Sequence, residues 1–352
     1  MTTSIRPDRE YLMSVEALQQ AHWQPPHGIG AARITNDRTL LLYGGVGLLP
    51  FLREAGPCDW PHCSWDWING GVPQAANLTA HELAVRERLP PAVRAYNFSA
   101  EVNANVSLFD GVVMVDYEAW LLEWELADIG LAPYKEAAIN YTKRRYPGIT
   151  DAGEIEALAK SEYETAAMNF FIFTASIVRA MLPNAKHVGF YGYPHYIVFM
   201  GHTPAKMRAA NDKLLPLWLA LGGFYPSLYL DSKSMAAFDE TFNNTMTKFD
   251  DVLVECDRLN ALLDGVGAPP AAILPFTWYR YHPGTAGKYG GQYISAHDAW
   301  LEFDYPFNAK TGLNTTGVIV WGYEPKPAEA ATAEAWFEQQ APYFVNATPP
   351  AP

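Results

Sequence analysis

Short apolar runs alternate along the chain with longer segments in which apolar residues recur every three or four positions. The runs are TLLLYGG (39–45), GVVMVDYE (111–118), HVGFYGYP (187–194), FYPSLYL (224–230), AAILPFTWYRY (271–281) and GVIVWGY (317–323). The longer segments, such as EIEALAKSEYETAAMNFFIFTASIVRAML, have the spacing of helices. Apolar strands separated by helices are typical of a parallel sheet, and this many units favour a closed barrel. The pattern therefore predicts an α/β fold, a distorted (β/α) TIM-like barrel of seven or eight units.

No stretch rich in glycine, serine or proline divides the 352 residues, so we expect a single domain. Its core is predicted at about residues 20–340, with loose ends in the first dozen residues and in the C-terminal NATPPAP. No apolar run reaches the roughly 18 residues of a membrane span. The net charge of −13 argues against nucleic acid and anionic membranes as partners. We expect a monomer.

Two acidic residues end the second apolar run. Asp116 and Glu118 are two positions apart, and on a strand such residues point to the same face. Neighbouring carboxyls resist ionising together, which raises one pKa and keeps that acid protonated near neutral pH for general acid catalysis. A strand end that simply reaches solvent would also account for the two acids.

Most of the other runs end in aromatic residues, and in a β/α barrel the carboxyl ends of the strands form the active-site face. These ends carry no His, Cys or Lys nucleophile, no glycine-rich phosphate loop and no metal cluster, so we expect neither a cofactor nor a metal. An aromatic, acidic barrel mouth of this kind is typical of a glycoside hydrolase. Taken singly, each ring is equally explained by core packing. The aromatic residues expected at the rim are Tyr43, Tyr191, Tyr229, Trp278 and Trp321.

The cysteines and the N-x-S/T sequons bear on the cellular compartment. Three cysteines cannot form a disulfide framework; Cys58 and Cys63 could close a small loop, and Cys256 is expected to be a buried free thiol. The first residues lack the hydrophobic region of a signal peptide. The sequons nevertheless exceed the two or three that chance gives, which predicts a secreted glycoprotein whose leader has been removed; coincidence in a cytosolic or bacterial protein is the alternative. The sequon asparagines are Asn77, Asn97, Asn105, Asn140, Asn243, Asn314 and Asn346.

Six ordered motifs resemble those of the hyaluronidases of animals and venoms, glycoside hydrolase family 56. They are NGGVPQAANLTAH (69–81), VVMVDYEAW (112–120), GFYGYP (189–194), YPSLYL (225–230), LPFTWYRY (274–281) and GVIVWG (317–322). The resemblance covers roughly residues 35 to 325. It implies a single catalytic domain, residues 1–352, with a distorted β/α barrel. It also implies a retaining endo-β-N-acetylhexosaminidase that cleaves hyaluronan- or chondroitin-like glycosaminoglycan, with the substrate's own acetamido oxygen as nucleophile.

The resemblance also implies roles for single residues. Glu118 would be the general acid and then the base, and Asp116 would hydrogen-bond both Glu118 and the acetamido nitrogen. We expect Asp116 to supply part of the rise in the pKa of Glu118. The residues implied to bind substrate are Tyr43, Tyr191, Tyr229 and Trp321, with Trp278 at the same rim and Phe276 at a position where the family usually has tyrosine.

Several positions depart from the family pattern. Leu121 stands where the family has arginine, and Glu123 where many relatives carry a basic or polar residue, so both are candidate specificity residues. His195 and Tyr196 occupy the place of the family's Pro-x-Cys cysteine, so the family's disulfides cannot form. Without the arginine, a uronic acid carboxylate loses a bidentate partner, although Arg280 and Lys288 could supply a local basic groove. Two alternatives therefore stay open: hydrolysis of a neutral, chitin-like N-acetylglucosamine glycan, and a relative that binds sugar without cutting it.

Overall fold

The computed structural model describes residues 10–15, 33–35, 38–56, 64–126, 132–196, 203–308, 314–322 and 327–340, with backbone alone for the first two stretches. Residues 1–9 of the predicted loose N-terminal dozen lie outside the described residues, as do the predicted loose C-terminal NATPPAP with Asn346, and Cys58 and Cys63. Cys256 is a buried free thiol, as predicted.

Parallel strands form the centre of the molecule. The strands are β1 (Glu10–Val15), β2 (Arg33–Thr35), β3 (Thr39–Tyr43), β4 (Phe51–Glu54), β5 (Trp65–Ile68), β6 (Val112–Asp116), β7 (His187–Phe190), β8 (Gly223–Phe224), β9 (Ala272–Ile273), β10 (Phe276–Trp278) and β11 (Val318–Gly322). β4 and β5 pair antiparallel as a hairpin, whereas all other pairs of these strands are parallel.

The parallel strands close into a barrel. β3 pairs with β6, and β6 with β7. A bridge from Tyr191 to Tyr225 continues the order to the β8 segment, and a bridge from Ser227 to Phe276 continues it to β10. β10 pairs with β11, β11 with β1, and β1 lies against β3. The predicted α/β barrel is therefore confirmed.

The first strand corrects the predicted limit of the core. β1 pairs with β11 in register, with Tyr11 opposite Val318 and Val15 opposite Gly322, so it belongs to the barrel. The predicted core limit near residue 20 is therefore wrong. The segment EYLMSV has only a short apolar centre, and Ser14 interrupts it, so its pattern is weaker than that of the other strands.

Helices surround the barrel, as the spacing predicts. They are α1 (Leu78–Ala95), α2 (Ala100–Ala104), α3 (Ala132–Arg145), α4 (Ala152–Met181), α5 (Pro204–Lys213), α6 (Leu215–Ala220), α7 (Glu240–Gly265), α8 (Ala296–Phe303), α9 (Tyr305–Asn308) and α10 (Pro327–Gln340). None of the helices in the described ranges is both long and apolar enough to cross a membrane.

The long helix α4 holds the segment that follows β6. It begins at Asp151, whose side chain accepts a hydrogen bond from Glu154 N at 2.8 Å, a cap that contributes about 1 kcal/mol. Its Phe171 stacks on Phe190 of β7 with ring centroids 4.1 Å apart. Tyr163 donates a hydrogen bond to the Leu121 carbonyl at 2.9 Å, so the helix fixes the chain just beyond Glu118.

Candidate active site

Strand β6 delivers two carboxyl groups to the mouth of the barrel. Its residues Val112–Val115 are buried, and the chain then alternates. Tyr117 is buried and faces the outer rings of Phe170 and Phe171, whereas Asp116 and Glu118 point the other way. The prediction that Asp116 and Glu118 point to the same face therefore agrees with the geometry of this strand end.

The pKa values of both carboxyls are raised above their ordinary values. Burial raises the pKa of Asp116 to about 7, and the charge of Glu118 and a hydrogen bond between the two carboxyls add to the rise. Burial also raises the pKa of Glu118, although its side chain has access to solvent in the mouth. Asp116 Oδ1 is buried and has no hydrogen-bond partner among the described residues, so it remains able to accept one.

The cause of the rise in the pKa of Glu118 differs from the expected one. The hydrogen bond from Asp116 lowers the pKa of Glu118, as does the charge of His282, and burial alone raises it. The physical reason is that a protonated Asp116 donates to Glu118, and a donated hydrogen bond favours the ionised form of the acceptor. This hydrogen bond therefore favours the protonated form of Asp116 and the ionised form of Glu118.

Four aromatic rings form a continuous wall beside the carboxyl pair. Tyr229 lies 6.0 Å from both Tyr191 and Trp321, measured between ring centroids, and 5.7 Å from Trp278. Trp278 and Trp321 meet edge to face at 4.7 Å. Trp321 Nε1 donates to the Tyr43 hydroxyl at 3.2 Å, which ties the wall to an exposed ring on β3. The structure thus brings these predicted rim residues together.

Phe276 supports this wall from behind. It is 1% exposed and meets the Tyr191 ring edge to face at 4.9 Å. A side chain buried to that degree cannot contact a substrate in the mouth, so the expected substrate-binding role of Phe276 is corrected to one of packing. The sequence pattern shows that β10 is apolar, but it does not show which of its residues face the interior.

A cleft of ≈ 690 Å³ opens in front of the wall. Its lining includes Glu118, Tyr191 and Tyr229, together with polar residues that the sequence analysis did not single out. Ser227 accepts a hydrogen bond from the Tyr191 hydroxyl at 3.3 Å. Strand-end position could have indicated Ser227, which lies within YPSLYL, and also His282, which directly follows LPFTWYRY.

Helix α7 also supplies polar groups to the cleft, among them Lys248. Lys248 on α7 donates to Asp231 Oδ2 at 2.6 Å, and Thr285 donates to the other oxygen of Asp231 at 3.0 Å. The lysine charge is therefore partly neutralised within the cleft. No strand-end signal marks Lys248, because helix α7 places it there through tertiary packing.

The two candidate specificity residues lie away from the cleft. Trp120 is buried and donates to the Pro50 carbonyl at 2.6 Å, which turns the chain away from the mouth. Leu121 is half-buried and packs against the hydrophobic core. Glu123 is 4% exposed and lines a different cavity, so its expected contact with substrate is not supported.

The basic groove expected from Arg280 and Lys288 does not form in the cleft lining. Arg280 donates to the Gly291 carbonyl at 2.8 Å, and its guanidinium lies 4.1 Å from the centroid of the Tyr293 ring. Lys288 lies over the Tyr289 ring. Among the described residues, no group of three or more His, Cys, Asp or Glu side chains is placed to hold a metal ion.

The sequence profile of the hyaluronidase family, glycoside hydrolase family 56, matches residues 54–248, which is more than half of the chain. The chain belongs to the hyaluronidase family. The matched range includes Asp116, Glu118, Tyr191 and Tyr229, so it covers the carboxyl pair and part of the aromatic wall.

Curated members of the hyaluronidase family are similar to the chain over different lengths. The chondroitin hydrolase of Caenorhabditis elegans is 29% identical over 319 residues, which cover 89% of this chain and 61% of that protein. Human hyaluronidase-1 is 27% identical over 205 residues, which cover 55% of this chain and 41% of that protein. The chain thus spans less than two thirds of the length of these relatives.

A solved structure from the hyaluronidase family has the same fold. The crystal structure of bee venom hyaluronidase in complex with a hyaluronic acid tetramer superposes with a TM-score of 0.74 at 20% identity. The superposition covers 96% of this chain and 99% of that one. It confirms the TIM-like barrel over almost the whole chain.

Proposed function

We propose that the chain is a retaining endo-β-N-acetylhexosaminidase that cleaves a hyaluronan- or chondroitin-like glycosaminoglycan. The observation that carries the proposal is the position of the Asp116 and Glu118 carboxyls, both with raised pKa values, at the end of β6 beside the aromatic wall. The names of the similar proteins agree with it, since one is a chondroitin hydrolase and another holds a hyaluronic acid tetramer.

In the first step, Glu118 gives its proton to the glycosidic oxygen while the bond from that oxygen to the anomeric carbon breaks. The acetamido carbonyl oxygen of the same sugar forms a new bond to the anomeric carbon. Its attack is intramolecular, and well-oriented reactions of this kind gain about 7–11 kcal/mol of the barrier. In the second step, the Glu118 carboxylate takes a proton from water, and the water oxygen displaces the acetamido oxygen, so the configuration is retained.

Substrate binding also favours the protonated form of Glu118, which the first step requires. The buried Oδ1 of Asp116, which has no partner among the described residues, can accept the acetamido N–H. A donated hydrogen bond favours the ionised form of Asp116 and lowers its pKa. The proton of the pair then passes to Glu118, which becomes the general acid only when an acetamido sugar is bound.

The aromatic wall binds and orients the sugar. The Tyr191 and Tyr229 hydroxyls share a hydrogen bond, and burial holds the pKa of each above its ordinary value. Both phenols are therefore neutral, and the Tyr191 hydroxyl, which donates to Ser227, can donate to the acetamido group when it turns from that acceptor. The rings of Trp321 and Tyr43 provide flat apolar surface for the sugar face.

A neutral N-acetylglucosamine glycan is the second candidate substrate. Its support is the charge of the cleft, where Glu118, Asp231 and Asp251 face a single described lysine, Lys248, which is already paired with Asp231. A uronate-rich polymer would approach a chain of net charge −13 against a repulsive field.

The test is a panel of hyaluronan, chondroitin and chitin oligomers, with new reducing ends counted from pH 3 to 8 and the anomer of the first product determined by NMR. We expect β-configured ends from at least one of these substrates. Tight binding of an oligomer without new ends would assign the chain to the sugar-binding, non-cutting class. An α-configured first product would contradict the retaining mechanism.

Leu121→Arg is expected to leave the ratio of kcat/KM for hyaluronan to kcat/KM for a chitin oligomer unchanged, because Leu121 packs against the hydrophobic core and is not among the described residues that line the cleft. Leu121→Met is the size-matched, uncharged control, and melting temperatures of all three proteins show whether the half-buried charge is tolerated. A rise of this ratio in the arginine variant alone would contradict this placement, because it would show that a side chain at position 121 reaches the uronate.

We further propose that the protein is a secreted, monomeric, single-domain glycoprotein. In support, five of the sequon asparagines are exposed: Asn77, Asn97, Asn105, Asn243 and Asn314. Expression in a secreting eukaryotic host should add N-glycan mass that an amidase removes, and an unmodified mass in such a host would contradict the proposal.

A further inference from the structure

Two donors in the substrate cleft hold a carboxylate between them. Lys248 Nζ on α7 donates to Asp231 Oδ2 at 2.6 Å, and the Thr285 hydroxyl, on the loop after β10, donates to Asp231 Oδ1 at 3.0 Å. The donors come from different elements, and together they meet both oxygens of one carboxyl group. A cation and a hydroxyl arranged in this way suit any planar carboxylate, whether it belongs to a side chain or to a ligand.

This pair of donors is accessible from the cleft and lies beside the aromatic wall. Asp231, Lys248 and Thr285 line the same cleft as Glu118 and Tyr229. The Lys248 ammonium also lies 3.4 Å from the backbone carbonyl of Tyr229, whose ring belongs to the wall. The side chains of Lys248 and Asp231 are 43% and 53% exposed, so a molecule in the cleft can contact both.

The Asp231 carboxylate is placed so that another carboxylate can displace it. Exposed ion pairs contribute little to stability, because water solvates the separated charges almost as well. A side cavity of ≈ 250 Å³ adjoins the cleft, and Tyr229, Asp231 and Lys248 line both spaces. The side chain of Asp231 therefore has room to turn away from the cleft.

The other acidic groups near Lys248 do not take the place of Asp231. Among the residues described, Asp231 is the carboxylate that forms an ion pair with this lysine. Glu302 on α8 senses the lysine charge, but burial raises the pKa of that carboxyl well above its usual range and so favours its neutral form. Asp251 lies further along α7 and lines the cleft. Displacement of Asp231 would therefore leave the Lys248 charge available to a ligand.

We propose that Lys248 and Thr285 form the subsite for a uronate carboxylate of the substrate, and that Asp231 is an internal competitor for this subsite. The inference rests on the proposed function, since hyaluronan- and chondroitin-like polymers alternate N-acetylhexosamine with a uronate. When the acetamido sugar lies on the aromatic wall, a neighbouring uronate replaces Asp231 on the two donors. A neutral glycan has no carboxylate to exchange, so Asp231 reduces the preference of the protein for the anionic polymer.

The experiment is calorimetric titration with a hyaluronan tetrasaccharide and with a chitin tetrasaccharide, in proteins that all carry Glu118→Gln so that neither ligand is cut. Asp231→Asn removes the competing charge, and we expect it to tighten hyaluronan relative to chitin by about ten-fold, the size expected of one charge-assisted hydrogen bond. Asp251→Asn is the matched control. It makes the same chemical change in the same cleft but releases no lysine, so the ratio of the two dissociation constants should move by less than about three-fold.

The effect of Asp231→Asn should require the lysine. Adding Lys248→Met to Asp231→Asn should cancel the tightening, because methionine keeps an apolar stem but carries no charge. Tightening that survives Lys248→Met, that is equal for both ligands, or that Asp251→Asn reproduces would overturn the proposal. If Asp231→Asn does not fold, Lys248→Met alone decides. It should weaken hyaluronan about five-fold more than chitin, and equal weakening would contradict the subsite.

Failure of this subsite can be told apart from failure of the proposed hydrolysis. The dissociation constants are measured without turnover, so they test the Lys248 subsite even if the wild-type protein cuts none of the glycans. Conversely, the absence of hyaluronan binding to Asp231→Asn at millimolar concentration would overturn the subsite even if the wild-type protein cuts a chitin oligomer.

Discussion

Glu118→Gln should lower kcat for glycan hydrolysis by about 10²–10⁴-fold, because glutamine keeps the shape of the side chain but has no proton to give. The same variant should retain the fold and most of the affinity for sugar, since the aromatic wall is unchanged. Burial already disfavours the charged form of Glu118, so a neutral amide at this position adds no desolvation penalty. The measurement is kcat and KM on the best substrate of the panel, with dissociation constants for a product oligomer.

Glu125→Gln is the matched control for that experiment. It makes the same chemical change seven positions along the chain, at an exposed carboxylate that pairs with Lys160. Its activity should stay within two-fold of wild type. Turnover by Glu118→Gln within a few-fold of wild type would show that Glu118 is not the acid.

Removing the acetyl group from the substrate should have an effect at least as large. An oligomer with free amines in place of acetamido groups lacks the proposed nucleophile, so we expect its cleavage to fall by at least about 10⁴-fold, given the effective molarities of well-oriented intramolecular attack. Asp231 is a poor substitute, because Lys248 and Thr285 occupy its two oxygens. Reducing ends should be counted for the deacetylated oligomer and for the same oligomer after chemical re-acetylation.

Re-acetylation controls for damage to the polymer, since it should restore cleavage to the rate of the native glycan. Comparable cleavage of the deacetylated oligomer would contradict substrate assistance. Mass-spectrometric detection of a sugar covalently attached to the protein during turnover would do the same, because it would place the nucleophile on a side chain.

The spacing of polar and apolar residues along the strands predicts the residues of the candidate site better than it predicts the residues around that site. Alternation along β6 is enough to place Asp116 and Glu118 on one face, because the strand geometry is local. The aromatic strand ends meet because parallel strands in a barrel end on the same side. Both predictions depend on the order of residues within a single element and on a general property of the fold.

The failures depend on tertiary structure. Glu123 follows Glu118 closely in sequence, but the buried Trp120 redirects the chain, and no local pattern records the bond from its indole to Pro50. Phe276 lies in an apolar run in which residues on both faces are buried, so periodicity cannot distinguish core from cleft. Strand β1 is short, and its place in the barrel comes from its pairing with β11.

The hydrogen bond from Trp321 to Tyr43 joins residues 278 positions apart. During synthesis the carboxyl pair is made before β11, which supplies Trp321 to the wall beside the pair. β11 pairs in the barrel with β1, which comes before the carboxyl pair in the sequence. A nascent or truncated chain that stops before residue 318 therefore carries the acids without the surface that holds a sugar against them. The aromatic wall is complete only when β11 has joined the barrel, so the proposed hydrolysis requires that strand to be in place.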